Sequence, residues 1–237
     1  MEPTSEARGK STYAWVVVAL LWVVALLNYM DRQMLSTMKN SMMVDIHELE
    51  SAENFGRLMA IFLWIYGFMS PVAGLIADRI NRKWIIVGSL GVWSAVTFTM
   101  GYTDNFSVLY LLRALMGISE ALYIPAGLSL IADYHQGSTR SLAVGIHMTG
   151  LYVGQAMGGF GATVAANYSW QATFHLFGII GMIYSIVLIA SLHEHHDRRE
   201  KRKEPSKAEA NIKGKAMGGS ALSSLTLLLG MASFWMI

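Results

Sequence analysis

Charge-free runs of one recurring length constrain this chain more than any other feature. Ser11 to Met30, Leu58 to Ala77 and Trp84 to Thr103 each hold 20 residues without a formal charge. Lys10 and Asp31, Arg57 and Asp78, and Lys83 and Asp104 bound them. A further 53 uncharged residues run from Ser141 to His193, divided by the polar-aromatic turn Asn167-Tyr168-Ser169-Trp170-Gln171. The last 22 residues, Ala216 to Ile237, also carry no charge. A helix rises 1.5 Å per residue, so such a run spans about 30 Å, the thickness of a bilayer's hydrocarbon core. Barrel strands of about ten alternating residues are absent from the pattern. The runs read as transmembrane helices.

Phe106 to Tyr134 is equally long and apolar but contains Arg113 and Glu120, and reads as a span with buried charges. The expectation is an all-α membrane protein with six complete helices at about 13–37, 55–78, 84–103, 106–133, 142–166 and 171–192. These form one bundle over residues 1–192. A basic, polar linker follows over 193–220, and a seventh helix begins in 221–237. The first run exceeds a signal-peptide core and continues into Asn28-Tyr29-Met30-Asp31-Arg32 without a small-residue cleavage site, so it reads as a retained helix. Only 14% of residues are charged and none is cysteine. Disorder, a nucleic-acid partner, disulfides and thiolate metal sites are therefore excluded. His193-Glu194-His195-His196-Asp197 lacks the final histidine of a zinc H-E-x-x-H, so no metal and no cofactor is expected.

Charge also predicts orientation. Of the 18 Lys and Arg, 14 fall at the N-terminus, around Arg79, Arg82 and Lys83, at Arg140, and in the linker. Those segments read as cytoplasmic, with a cytoplasmic N-terminus in a cell membrane.

Ionisable residues inside spans are functional candidates because burying a charge costs several kcal/mol. Four stand out: Asp31 and Arg32 in the outer part of helix 1, and Arg113 and Glu120 in helix 4. Arg113 and Glu120 are two turns apart and share a face, and Asp31 is placed to pair with Arg113 across the helices. A carboxyl held in low dielectric can load and release a proton near neutral pH. An arginine fork matches a carboxylate bidentately. The bland alternative is a salt-bridge set that only fixes packing.

Several motifs converge on a family. Gly74-Leu75-Ile76-Ala77-Asp78-Arg79-Ile80-Asn81-Arg82-Lys83 resembles the G-x-x-x-D-R-x-G-R-K signature of the major facilitator superfamily. Asn81 stands where Gly is usual, a residue able to serve a left-handed turn. Asn28-Tyr29-Met30-Asp31-Arg32 resembles the first-helix motif of the anion:cation symporters, which include sugar-acid/proton symporters, and of the Spinster-like lipid transporters. Arg113, Gly117, Glu120 and Ala121, followed by Pro125-Ala126, resemble the symporters' fourth-helix pattern. Ile131-Ala132-Asp133 and Arg140-Ser141 are closer to the Spinster-like one. The resemblance implies the N-terminal half of a transporter, built as 3+3 inverted repeats in which helices 1 and 4 line the cavity.

It also implies roles. Asp31 and Glu120 would couple protons, with the proton gradient as energy source. Arg32 and Arg113 would meet an anionic substrate, with Tyr29, Tyr66, Tyr123 and Gln155 as further pocket candidates. Gly74, Asp78, Arg79, Arg82 and Lys83 would form the conformational motif. The implied partners are a small organic anion such as a sugar acid, protons, the bilayer and a missing C-terminal half-bundle. Lysolipid transport and an inactive or non-transporting fragment are the alternatives. Gly150, Gly154 and Gly158 read as a small-residue packing stripe, and His147 as a packing histidine or a participant in proton traffic. A retinal pump lacks its lysine in 216–237, and a serine protease lacks its G-x-S-G turn, so no enzyme is expected.

Overall fold

The computed structural model describes the backbone of residues 5–193 and the side chains of residues 12–193. The expected seventh helix and nearly all of the expected linker lie outside the described residues. Among these, all regular structure is helical. α1 (Ser5–Thr37) leads through a short α2 (Lys39–Met42) and a 3-10 turn at His47–Glu50 into α3 (Ala52–Arg79). α4 (Arg82–Met100) follows, then α5 (Phe106–Ala121) and α6 (Tyr123–Tyr134). α7 (Ser138–Met157), α8 (Phe160–Asn167) and α9 (Trp170–Ser191) complete the bundle.

Local chemistry explains the helix starts. Ser51, Asn81, Asn105 and Ser169 are N-caps whose side-chain oxygens accept from Asn54, Lys83, Ser107 and Ala172 backbone N–H groups. Asn81 has φ −61° and ψ 119°. It is an extended cap residue, and the left-handed turn expected there is not formed. α4 ends at Met100, and the following Gly101 is pressed against α9, where a Cβ would lie 2.8 Å from the Gln171 carbonyl oxygen. Gly137, with φ 60°, opens α7 in a conformation that favours glycine.

Two expected helices are divided. The fourth span breaks at Leu122 between α5 and α6. Pro125 has no N–H to return to the Ala121 carbonyl, which kinks the helix there. The fifth breaks at Gly158 and Gly159 between α7 and α8. Among the described residues, five spans are long and apolar enough to cross a membrane, with α5 and α6 counted as one over Phe106–Tyr134. α7 is less apolar because it carries Thr139, Arg140, His147, Thr149 and Gln155.

The pairing reveals the internal symmetry. α1 packs along α7, α3 along α5 and α4 along α9. In span order these are one with five, two with four and three with six. Exchanging the first three spans with the last three maps this set onto itself, as 3+3 repeats require. Glycines permit each close approach. A Cβ on Gly150 would lie 2.6 Å from the Trp22 carbonyl oxygen, one on Gly117 2.8 Å from that of Phe62, and one on Gly178 2.6 Å from the Phe98 side chain.

Candidate functional site

All four intramembrane charges lie in one region of the bundle, but their pairing differs from expectation. Arg32 Nε donates to Glu120 Oε2 at 2.6 Å. Asp31 and Arg113 form no ion pair. Residues 31 and 32 are rotated by about 100° on α1, so one turns toward α5 and the other toward α4. Asp31 Oδ2 instead accepts from Thr97 Oγ1 of α4 at 3.3 Å. Asp31 is 5% exposed and Glu120 is fully buried.

Arg113 is the exceptional group. It is 1% exposed, yet no carboxylate among the described residues lies within salt-bridge distance of it. One terminal nitrogen donates to Met116 sulfur at 3.3 Å, and Nε has no partner. Its guanidinium carbon lies 4.6 Å from the Phe62 ring centroid, while that of Arg32 lies 5.0 Å from the same ring. Phe62 of α3 thus contacts both cations through its π-system. Arg32 is further covered by Tyr29 at 4.7 Å and Tyr66 at 4.4 Å. Polar capacity remains unused nearby. Arg32 keeps an unpartnered terminal nitrogen and Glu120 an unpartnered Oε1. Buried Asn28 lies beside Glu120 without closing a hydrogen bond of normal geometry.

The remaining candidates separate. Tyr29 and Tyr66 join the cluster. Tyr123 spends its hydroxyl on the Leu21 carbonyl at 2.7 Å, and Gln155 is exposed on α7 without a contact to the charges. Thr97 and Phe62 belong to the site but had no charge to flag them. The i, i+4 spacing of Phe62 and Tyr66 is legible in the sequence, and the two rings stack at 5.9 Å.

The conformational motif lies at the junction of α3 and α4. Gly74 faces open space, and Asp78 and Arg79 are exposed. Arg82 is buried and donates to the Ser129 carbonyl at 2.6 Å and to the Asp133 carboxylate. Lys83 Nζ donates to the Ile189 carbonyl at 2.7 Å, capping the end of α9. Arg82→Gln is expected to cost about 2 kcal/mol, because charge-assisted bonds to a half-buried partner are lost. Exposed Asp78→Asn should change stability by less than about 0.5 kcal/mol. Thermal melts of the purified variants check both.

The profile of the Major Facilitator Superfamily matches residues 21–237. The chain belongs to that superfamily. Mouse protein spinster homolog 1 is 31% identical over 175 residues, covering 70% of this chain and 32% of the mouse protein. The probable galactarate/D-glucarate transporter of Bacillus subtilis is 27% identical over 224 residues, covering 92% of this chain and 48% of its own length. This superfamily chain thus spans about a third to a half of the relatives it matches. A crystal structure of a bacterial homolog to the human lysosomal transporter Spinster, inward-facing and occupied, superposes with a TM-score of 0.68 at 24% identity. It covers 77% of this chain and 45% of that one. The inward-facing, unoccupied form gives the same TM-score, 0.68, at 25% identity. The family match and the apolar helices identify a multi-pass membrane protein of the superfamily, the fold is consistent with an N-terminal half-bundle, and relatives on both sides are named as transporters.

Proposed function

We propose that this chain supplies one wall of a proton-coupled transporter for a small organic anion, working by alternating access together with a second half-bundle. The observation that carries the reading is Arg113, a buried guanidinium with an unpartnered Nε and, among the described residues, no carboxylate within salt-bridge distance. An unpaired charge in low dielectric is costly, and an anionic substrate is the partner that relieves the cost. Arg32 contributes a second guanidinium from α1. Asp31 and Glu120 are the proton-carrying carboxyls. When Glu120 takes a proton, its hold on Arg32 weakens and that fork is freed for substrate. Phe62 and Tyr66 cover the two cations, so α3 moves when substrate reaches them. The protein sits in the cell membrane with its N-terminus in the cytoplasm, following the distribution of Lys and Arg.

One feature favours an amphiphilic anion as a second reading. Ala60, Leu63, Trp64, Gly67 and Phe68 of α3 line an apolar groove of about 460 Å³. It lies on the helix that carries Phe62 and Tyr66, and it suits an acyl chain.

The test reconstitutes both half-bundles in liposomes and measures uptake of D-glucarate and of a lysophospholipid under an imposed pH gradient. Gradient-driven D-glucarate uptake that falls at least about a hundredfold in Arg113→Ala is expected. Uptake of D-glucarate unaffected by that change would overturn the anion-site assignment. Movement of the lysolipid alone would favour the second reading.

A further inference from the structure

The two ends of the bundle are built alike. Arg82 is the first residue of α4, directly after the N-cap Asn81, and it donates to the carboxylate of Asp133 in the last turn of α6. Trp170 is the first residue of α9, directly after the N-cap Ser169. Its Nε1 donates to Asp45 Oδ2 at 2.7 Å, and Gln171 Nε2 donates to the same oxygen at 3.0 Å. Asp45 lies in the connection that follows α1. Exchanging the first three spans with the last three turns the start of α4 into the start of α9, and the exit of span four into the exit of span one. Each contact thus joins a carboxylate at the exit of one repeat's first span to the first residue of the other repeat's third span. The neighbouring residues keep the pattern. Lys83 Nζ reaches the Ile189 carbonyl near the end of α9, and the Gln171 carbonyl oxygen is pressed against Gly101 just past the end of α4. Because the repeats are inverted, the two contacts lie at opposite ends of the bundle.

We propose that Asp45, with Trp170 and Gln171, is a second latch between the two repeats, the counterpart at the opposite end of Arg82 with Asp133, and that the end of the bundle nearest Asp31 and Arg32 opens through its release. Trp170 is 2% exposed, so without Asp45 its indole N–H loses its acceptor at the edge of a packed core. The carboxylate also sits beside the first turn of α9, where the helix dipole favours negative charge. Thr37 Oγ1 adds a tie between the repeats at the same end, donating to the Gly158 carbonyl at 3.0 Å. Two features make this the looser end. Asp45 is exposed and both of its donors are neutral, whereas Arg82 is buried and its bond to Asp133 is charged on both sides. The break at Gly158 and Gly159 also separates the short α8 from α7, so α8 and the first turn of α9 can shift without bending a continuous helix. Arg32 lies five residues before the end of α1 at Thr37, about 7.5 Å along the axis. Movement at this end therefore reaches the charge cluster directly.

Amide hydrogen exchange on the purified full chain in lipid nanodiscs is the test. Asp45→Ala is expected to speed exchange in 38–50 and 160–175 by about tenfold and to leave 82–88 and 129–134 within about twofold of wild type. Arg82→Gln is expected to give the reverse pattern. Asp45→Asn keeps an oxygen that accepts from Trp170, so it should retain most of the protection that Asp45→Ala loses. Trp170→Phe keeps the ring packing and removes one of the two donors, and it should speed the same segments by about threefold. It carries the test if Asp45→Ala is recovered too poorly to measure. Exchange that stays at the wild-type rate in 38–50 and 160–175 would overturn the latch. Acceleration of equal size at both ends would overturn it too, because that is a general loss of stability and not the release of one end.

Discussion

Changing Arg32 to Met alone is expected to destabilise the bundle by about 3 kcal/mol, and changing Glu120 to Met in the same chain is expected to recover most of that loss without restoring the proposed transport. The first part follows from the fully buried Glu120, whose Oε2 accepts from Arg32 Nε at 2.6 Å. Removing one member of a buried pair leaves its partner charged in low dielectric, at a cost of about 3–5 kcal/mol. The lower end applies because 17% of the Arg32 side chain remains exposed. The second part follows because an apolar pair of similar volume incurs no desolvation cost and is often neutral or stabilising. Thermal melts with uptake assays on the two single variants and the double variant close the cycle. If the pair only fixed packing, the double variant would recover stability and transport together. If the pair is part of the proton and anion machinery, stability returns and transport does not. A double variant as unstable as the singles would show that the two side chains act on the fold separately.

Gly154→Val should be the most damaging substitution on α7. A Cβ at Gly154 would collide with the backbone of α1 at the Leu26 carbonyl. Neither helix can yield by rotating a side chain, so α1 and α7 must separate along their length. Overpacking of this kind costs about 3 kcal/mol, and a β-branched residue adds helix strain. We expect loss of the monodisperse peak on size exclusion and a fall in recovered protein. Gly145→Ala is the internal control. It lies nine residues earlier on the same helix, and a Cβ there meets open space. That change should be neutral or stabilise by up to about 1 kcal/mol. Equal behaviour of the two variants would mean that the α1–α7 contact is not tight in the membrane.

The part of this fold legible in the sequence is the part set by one-dimensional spacing. Charge-free runs marked the spans, because bilayer thickness fixes helix length whatever the packing. Asp31, Arg32, Arg113 and Glu120 were legible as a group, because a charge in hydrocarbon needs a reason. Their pairing was not, since it depends on the rotation of α1 about its axis, and adjacent residues face different neighbours. Arg113 was matched to Asp31 by height alone, whereas Asp31 is satisfied by Thr97, an uncharged residue on a helix with no intramembrane ionic signal. The break at Gly158 and Gly159 escaped because glycines in an apolar run also serve close packing, as Gly150 and Gly154 do. Asn81 stands where the superfamily pattern has glycine, which implies a left-handed turn. Its side chain found a different use, capping the Lys83 N–H.

α3 has a consequence for the energetics of the whole site. Leu63, Trp64 and Phe68 are 63%, 65% and 71% exposed, and Cβ atoms at Gly56, Gly67 and Gly74 would meet nothing. Among the described membrane-length spans, the wall nearest the arginines is therefore the least buried. Regions with few buried contacts open locally at a small fraction of the global unfolding free energy. Amide exchange in α3 should be faster than in α1 or α4, and each opening uncovers the guanidinium groups that Phe62 and Tyr66 shield. Whatever stabilises the outer face of this helix, lipid or protein, also sets how often the arginines are bared. Under the proposed function, affinity for an anion is then governed in part by molecules that never touch it.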